Sequence, residues 1–361
     1  MTQTPKPSSQ TVVKPKIFGT LLTDVIRKDT CSGCGACVSV CPPLVIVMKN
    51  VPGKDEQPTL VGKCILCEYC YNQCPWTEPQ PSDVDVFGRP RRADEELGVM
   101  LACYSARTTK EEIRKVAADG GVVTSLLAYM LQTGIADCAV VSGFSEKEPW
   151  KPVPKVVFTL EELLQYAGTR YTVSPTLLGL SSAVEEYNKC KVAVVGTPCQ
   201  VKAVRKMQTN PRGALKLGSK VALTIGLFCM ESFYYEGLFK EYLQKKIDLT
   251  KNLRFAIKKG KFMVDSDGQK VVDVSLDEVK SYVRGSCHNC VDFTAELADI
   301  SVGGVGSPDG WSTVIIRTEK AKSIFEDAVE AGFIEYKPIE QVKPGLTLVK
   351  KLSKMKKEKH S

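Results

Sequence analysis

The sequence predicts an α/β (α+β) protein in two parts: a small cysteine-rich module, then a larger domain on a mixed β-sheet. Three observations predict it. Eight of the fifteen cysteines fall between Cys31 and Cys74, in two runs of the same spacing. From about residue 98, short β-rich runs alternate with amphipathic ones, the pattern of a sheet covered by helices. Between the two textures lies a stretch dense in proline and charge, which suits neither a helix nor a central strand.

The 361 residues suffice for two domains. A hydrophobic content of 43% with 25% charged residues reads as globular. The longest apolar run, Val221–Met230, is far short of the ~20 residues a membrane span needs. The opening MTQTPKPSSQTVVKPK carries no apolar core before a cleavage site, so the expected location is cytoplasmic. In that setting fifteen cysteines indicate metal or redox chemistry rather than disulfides. The net charge is +8 and the chain ends KKLSKMKKEKHS. That end reads as a solvated helix terminus or as an attractor for an acidic cofactor or partner. Nucleic acid is not expected, because no aromatic-interleaved basic platform accompanies the charge.

In chain order, residues 1–17 are a polar, proline-bearing tail expected to be mobile. Residues 18–76 hold the cysteine runs. Residues 77–97, with Pro79, Pro81 and Pro90, form a linker or wrapping segment. Residues 98–355 form the sheet domain, and 356–361 a basic tail. Within the sheet domain, DCAVVSG, KVAVVGT, VALTIGLF, ADISVGG and STVIIRT read as strands. GVVTSLLAYMLQTG, SPTLLGLSSAVEEYNK and ESFYYEGLFKEYLQKK read as helices. KKGKFMVDSDGQKVVDVSL carries the Asp-Gly turn of a hairpin, so the sheet is expected to be mixed.

The runs CSGCGACVSVCP and CILCEYCYNQCP each match C-x2-C-x2-C-x3-C-P. Three evenly stepped thiolates wrap three corners of a 4Fe-4S cube, and the fourth ligand comes from the other run. This predicts Cys31, Cys34, Cys37 and Cys74 on one cluster, with Cys64, Cys67, Cys70 and Cys41 on the second. Gly33 and Gly35 let the first loop bend tightly; Leu66 and Glu68 stand in their place in the second. Zinc sites show well-separated cysteine pairs instead. The module is similar to a bacterial-type two-cluster ferredoxin, which moves electrons one at a time.

A two-electron donor feeding such a wire needs a converter, and a flavin is the usual one. No G-x-G-x-x-G dinucleotide fingerprint is present. Four other loops stand out: DGGVVTSLL (119–127), GTRYT (168–172), VVGTPCQ (194–200) and SVGGVGSPDGWST (301–313). The first sets two glycines and a threonine at a helix start, where backbone N–H groups can meet phosphate. Cys199 and Cys229 each end a predicted strand, and Cys287 and Cys290 form a C-x2-C pair. From spacing alone, these four could hold a third cluster, a zinc ion or a thiol redox pair. Cys103, Cys138 and Cys190 read as small buried apolar residues.

Together DGGVVTSLL, GTRYT, VVGTPCQ, IGLFCMESF, CHNC and ADISVGGVGSPDGWSTVIIRT resemble the coenzyme F420 hydrogenase/dehydrogenase β-subunit family over about residues 98–355. With the ferredoxin run in front, the resemblance is to the electron-input subunits of archaeal F420H2 dehydrogenases. It implies a mixed-sheet flavin domain preceded by a two-cluster bacterial-type ferredoxin module, with three 4Fe-4S clusters in all. The third would sit on Cys199, Cys229, Cys287 and Cys290. FAD contacts carry over to Gly120, Gly121, Thr124, Thr169, Arg170, Tyr171, Gly196, Thr197, Gly303, Gly304, Gly306 and Trp311.

The implied reaction is hydride transfer from reduced coenzyme F420 to FAD, then single electrons through the clusters, with close stacking supplying most of the rate. No catalytic side chain is required; His288, inside CHNC, reads as a packing residue near the cluster. Coenzyme F420 is anionic, and Lys258, Lys259, Lys261, Arg170 and Arg284 are candidates to receive that charge. The expected acceptor is ferredoxin or a partner redox complex, of the membrane F420H2 dehydrogenase or heterodisulfide reductase type. Membrane contact, if any, would come through that partner. The alternative is a ferredoxin-linked flavoprotein reductase working in the opposite direction or on another substrate.

Overall fold

The computed structural model describes residues 15–360, so most of the expected mobile tail, residues 1–17, lies outside the described residues. Thirteen strands are numbered in chain order. They are β1 (Ile46–Val51), β2 (Lys54–Leu60), β3 (Ala102–Thr108), β4 (Cys138–Phe144), β5 (Pro152–Val157), β6 (Val192–Gly196) and β7 (Val221–Leu227), then β8 (Leu253–Lys258), β9 (Lys261–Ser266), β10 (Gln269–Ser275), β11 (Ile300–Gly303), β12 (Ser312–Ile316) and β13 (Ile334–Pro338).

Eight strands form one sheet in the order β13-β3-β12-β11-β7-β6-β4-β5. Its centre is parallel: β11 with β7, β7 with β6, β6 with β4. Both flanks are antiparallel, so the sheet is mixed. The central strands are nearly continuous runs of Ala, Val, Leu and Ile because helices cover both faces. Along β4, Ala139 and Val141 enter the core under the helix Val122–Gln132, while Cys138 and Val140 enter the core on the other face. That alternation is the period of two of a pleated strand.

The second face does more than carry helices. Its core includes Leu177, Leu180, Val204 and Met207, and also Cys34, Ala36 and Val40 from the first cysteine run. The cysteine-rich module therefore packs on the sheet domain rather than swinging from a linker. Leu177 N–H donates to Cys34 O at 3.1 Å, and Ser39 Oγ–H to Leu177 O at 2.6 Å. Arg284 of the large domain pairs with Asp55 of the small one at 2.7 Å.

The helix Pro198–Thr209 starts where the sequence says it should. Pro198 occupies the first turn and Thr197 N–H donates to Gln200 Oε1 at 2.9 Å, closing a capping box. The hairpin is also present: β9 and β10 turn at Asp267 (φ 50°) and Gly268 (φ 82°), and β8 joins them in a three-stranded sheet. Residues 77–97 include a short helix, Asp83–Phe87, with a Ser82/Asp85 capping box. Ion pairs of Arg91 with Asp83 and Glu296 tie the stretch to the large domain, so it wraps rather than spans.

Some elements were not legible beforehand. The edge strands β5 and β13 carry Pro154, Glu335 and Lys337, and β3, paired between β13 and β12, carries Ser105 and Arg107, so polar composition hides all three. The helix Glu319–Glu330 follows β12, with Thr318 Oγ capping Ala321 N–H at 3.2 Å. The run 231–246 is helical only from Glu236, as a widened π-type turn. The lysine-rich end belongs to one helix, Gly345–His360, in which Lys356 is buried. The basic tail expected at 356–361 is thus corrected at Lys356: the helix carries that residue underneath the domain.

Candidate functional site

The first cysteine run turns at Gly33 (φ 67°) and Gly35 (φ 83°). The second turns at the equivalent positions with Leu66 (φ 59°) and Glu68 (φ 65°). A left-handed conformation costs a side-chain-bearing residue about 1–2 kcal/mol. Two different sequences are therefore bent into one backbone shape, which argues for one spatial demand met twice. That demand is a set of thiols pointing inward.

The fourth cysteine of each run crosses over. Cys31, Cys34, Cys37 and Cys74 line one pocket with Leu21, Val25, Ile26 and Trp76. Cys41, Cys64, Cys67 and Cys70 line another with Ile17, Phe18, Ile46 and Leu60. Burial pushes the Cys34 and Cys70 thiols up to about 12. Cys37 is raised by burial first, then by Cys31, Cys34 and Cys74. Cys70 feels Cys67, Cys64 and Cys41. Cys34, Cys37 and Cys70, so buried, would ionise only against a strong positive charge, which iron would supply while displacing their protons.

The third set forms at the edge where the parallel strands end. Cys199 follows β6 and Cys229 follows β7, neighbours in the sheet. Cys287 and Cys290 approach on the turn Gly285–Asn289. Burial raises the Cys229 thiol well above the usual range, with further contributions from Cys287, Cys290 and Cys199. Burial pushes Cys287 up to about 11, opposed by the Ser232 N–H, which donates to its Sγ at 3.3 Å. Among the described residues no three His, Cys, Asp or Glu side chains gather tightly enough for a single metal ion. Cys34 shares a core with Ala203 and Val204 of the helix Pro198–Thr209, which carries Cys199, so that helix packs against the first set.

The flavin-loop residues sort by what surrounds them. A Cβ at Gly120 would lie 2.5 Å from Ala106 O, and one at Gly303 2.3 Å from the Phe228 ring, so close packing already demands those glycines. A Cβ at Gly304 would meet the Asp119 carboxylate and one at Gly196 the Gln200 side chain. Gly121 (φ 69°) caps the helix Val122–Gln132, on which Thr124 lies. Gly306 O accepts from Gly345 N–H at 2.9 Å, anchoring the C-terminal helix. Trp311 lies under Arg107 and Lys337, 4.5 and 4.9 Å from its ring. Tyr171 OH accepts from Ile257 N–H at 2.9 Å, joining the Thr169–Tyr171 loop to the small sheet.

Arg170 is different. Its guanidinium lies 4.1 Å over the Phe144 ring, and Nη1 donates to Gly168 O at 2.6 Å. Its Nε and Nη2 are buried and unpartnered. Burial alone pushes the group down to about 10, so it remains a cation at neutral pH with two donors aimed at no protein acceptor. A phosphate group fits that arrangement, and FAD has two.

Arg284 leaves the set expected to receive coenzyme charge. It is 1% exposed, paired with Asp55, and donates Nη2 to Cys31 O at 3.4 Å. It belongs to the contact between modules. Lys258 reaches Asp309 in the glycine-rich loop at 2.7 Å, Lys261 pairs with Asp273 at 3.1 Å, and Lys259 sits at the exposed hairpin tip. Cys190 is exposed rather than buried, because it lies in the turn that precedes β6. Two buried lysines, Lys206 and Lys356, were not anticipated; a lysine gives no sequence signal of burial.

Comparison with known proteins agrees with this geometry. Residues 30–83 match the 4Fe-4S dicluster domain. Residues 103–181 and 190–342 match the N-terminal and C-terminal parts of the coenzyme F420 hydrogenase/dehydrogenase beta subunit. The chain is 49% identical to the beta subunit of coenzyme F420 hydrogenase from Methanothermobacter thermautotrophicus, over 73% of this chain and 93% of that one. It is 34% identical to an F(420)H(2) dehydrogenase subunit of Methanosarcina mazei, over 93% of this chain and 92% of that one. It is 39% identical to a coenzyme F420-dependent sulfite reductase of Methanocaldococcus jannaschii, over 86% of this chain and 47% of that one. A chain of the F420-reducing [NiFe] hydrogenase complex from Methanosarcina barkeri superposes with a TM-score of 0.71 at 43% identity, covering 75% of this chain and 93% of that one. The chain belongs to the coenzyme F420 hydrogenase/dehydrogenase β-subunit family and carries a 4Fe-4S ferredoxin-type domain at its N-terminal end.

Proposed function

We propose that this chain oxidises reduced coenzyme F420 by hydride transfer to FAD and passes the electrons singly through three 4Fe-4S clusters to a partner redox complex or ferredoxin. Family membership supports the coarser part, an F420-dependent oxidoreductase with an iron–sulfur domain. One observation carries the finer part: the three cysteine sets are contiguous. Cys34 packs in one core with Ala203 and Val204 of the helix that carries Cys199, and Cys37 packs in one core with Cys70. A line of redox centres then runs from the sheet edge to the ferredoxin module.

FAD, when bound, supplies the conversion from two-electron to one-electron chemistry. The chain's own part is binding and orientation. Arg170 offers its two unpartnered donors to the pyrophosphate. Lys258, Lys259 and Lys261 on the exposed hairpin offer positive charge to the coenzyme's anionic tail. The likeness to the F(420)H(2) dehydrogenase protein of Methanosarcina mazei spans the ferredoxin module as well as the flavin domain, which favours the role of electron input.

The test is turnover of the anaerobically purified chain, loaded with iron, sulfide and FAD. It receives reduced coenzyme F420 with a one-electron viologen dye, and NADH in a parallel run. Dye reduction with the deazaflavin alone is expected. No turnover despite bound flavin and about twelve irons overturns the assignment.

A further inference from the structure

Two ammonium groups are buried with no negative partner in contact. Lys206, 1% exposed, lies on the helix that begins at Cys199 and donates to Cys74 O at 2.8 Å, to Thr77 O and to Thr77 Oγ1 at 3.1 Å. Lys356, also 1% exposed, comes from the C-terminal helix and donates to Cys229 O at 2.6 Å and Asp292 O at 2.8 Å. All these acceptors are uncharged. The nearby Asp292 carboxylate accepts instead from Glu296 N–H at 3.0 and 3.1 Å. Arg284 provides the contrast: it also borders a cysteine set, but Asp55 neutralises it.

A buried, unpaired ammonium is strongly disfavoured unless opposite charge is close. Each lysine holds the backbone of a cysteine in a proposed cluster, Cys74 in one case and Cys229 in the other. A cube carried by four thiolates is anionic, and each electron it accepts makes it more so. A fixed positive charge in a low-dielectric surrounding favours that added electron.

We propose that Lys206 and Lys356 are the buried counter-ions of two iron–sulfur clusters, those of Cys31/Cys34/Cys37/Cys74 and Cys199/Cys229/Cys287/Cys290, and hold their reduction potentials up. Both are positioning residues and touch no substrate. The proposal rests on the three-cluster reading above. It adds that the step from the flavin domain into the ferredoxin is set by two lysines on separate helices.

The experiment is an EPR-monitored redox titration of the full, cluster-loaded chain, with iron and sulfide counted on the same sample. Lys356→Gln is expected to make reduction of one centre at least tenfold less favourable, a fall of about 59 mV for a one-electron couple. Lys206→Gln is expected to do the same to a different centre. Lys354→Gln, exposed on the same helix as Lys356, is expected to move neither. Unchanged potentials in the two buried variants, with iron retained, overturn the proposal. Should a glutamine variant lose about four irons, the arginine variant decides. Iron and potential restored by Lys356→Arg or Lys206→Arg support a charge requirement, and loss in arginine as well shows a packing role and overturns it. A wild-type chain with only about eight irons removes the third-cluster reading and the Lys356 half together. Lys206→Gln then tests what is left on the ferredoxin cluster alone.

Discussion

Replacing Arg170 with methionine separates ligand binding from folding. Arg170 donates Nη1 to Ala167 O (3.1 Å) and Gly168 O (2.6 Å), while Nε and Nη2 have no acceptor in the chain. Removing the side chain loses two hydrogen bonds to neutral carbonyls, worth about 1 kcal/mol each. It also relieves a desolvated charge, a gain of similar size, and methionine keeps sulfur–aromatic contact with the Phe144 ring. Stability without FAD should therefore change by no more than about 1 kcal/mol. With FAD the two free donors would each contribute a charge-assisted bond of at least ~1.5 kcal/mol. Their joint loss, about 3 kcal/mol, weakens FAD binding roughly 100-fold. Equilibrium dialysis of FAD against wild type and Arg170→Met reads the affinity, and thermal unfolding with and without FAD reads the rest. An FAD affinity within about threefold of wild type refutes the role given to Arg170. A large fall in flavin-free stability shows that the arginine is there to hold the loop.

Three further outcomes are expected. Leu66→Gly should stabilise the cluster-free chain by about 1 kcal/mol, read from urea unfolding, since it relieves a left-handed φ of 59° at an exposed side chain; a destabilised variant would show that the leucine is held by packing. Arg284→Met, which strands Asp55 in the contact between modules, should cost about 3–5 kcal/mol. Arg284→Met with Asp55→Asn should cost less than the two singles together, and additive values in that cycle would deny the coupling. Glu95 is held well below the usual carboxylate range, first by Arg89, at 2.6 Å, and by the N–H groups of Arg92 and Met100. A depressed value means its stabilisation is full above the ordinary glutamate range and is lost as pH falls from there toward the lowered value. Urea midpoints of wild type should drop between pH 5 and pH 3 more steeply than those of Glu95→Gln; equal slopes would remove Glu95 as the cause.

By itself the sequence determined whatever depends on short chain separation. C-x2-C-x2-C-x3-C-P sets four thiols within one loop, and its recurrence implies the exchange of Cys41 and Cys74 between sets. The Thr197-Pro198 start of a helix, the Asp267-Gly268 turn and the apolar runs of β4, β6 and β7 are likewise local. The tertiary structure decided what depends on which strands are neighbours. Cys199 and Cys229 stand side by side because β6 pairs with β7, and nothing within either strand encodes that pairing. It also decided the fate of the cations. Arg284, Lys206 and Lys356 look in sequence like other basic residues, yet they are enclosed, and Arg170 is half-buried with Nε and Nη2 inside. A charge is buried only when distant segments close around it, and no local pattern records that closure.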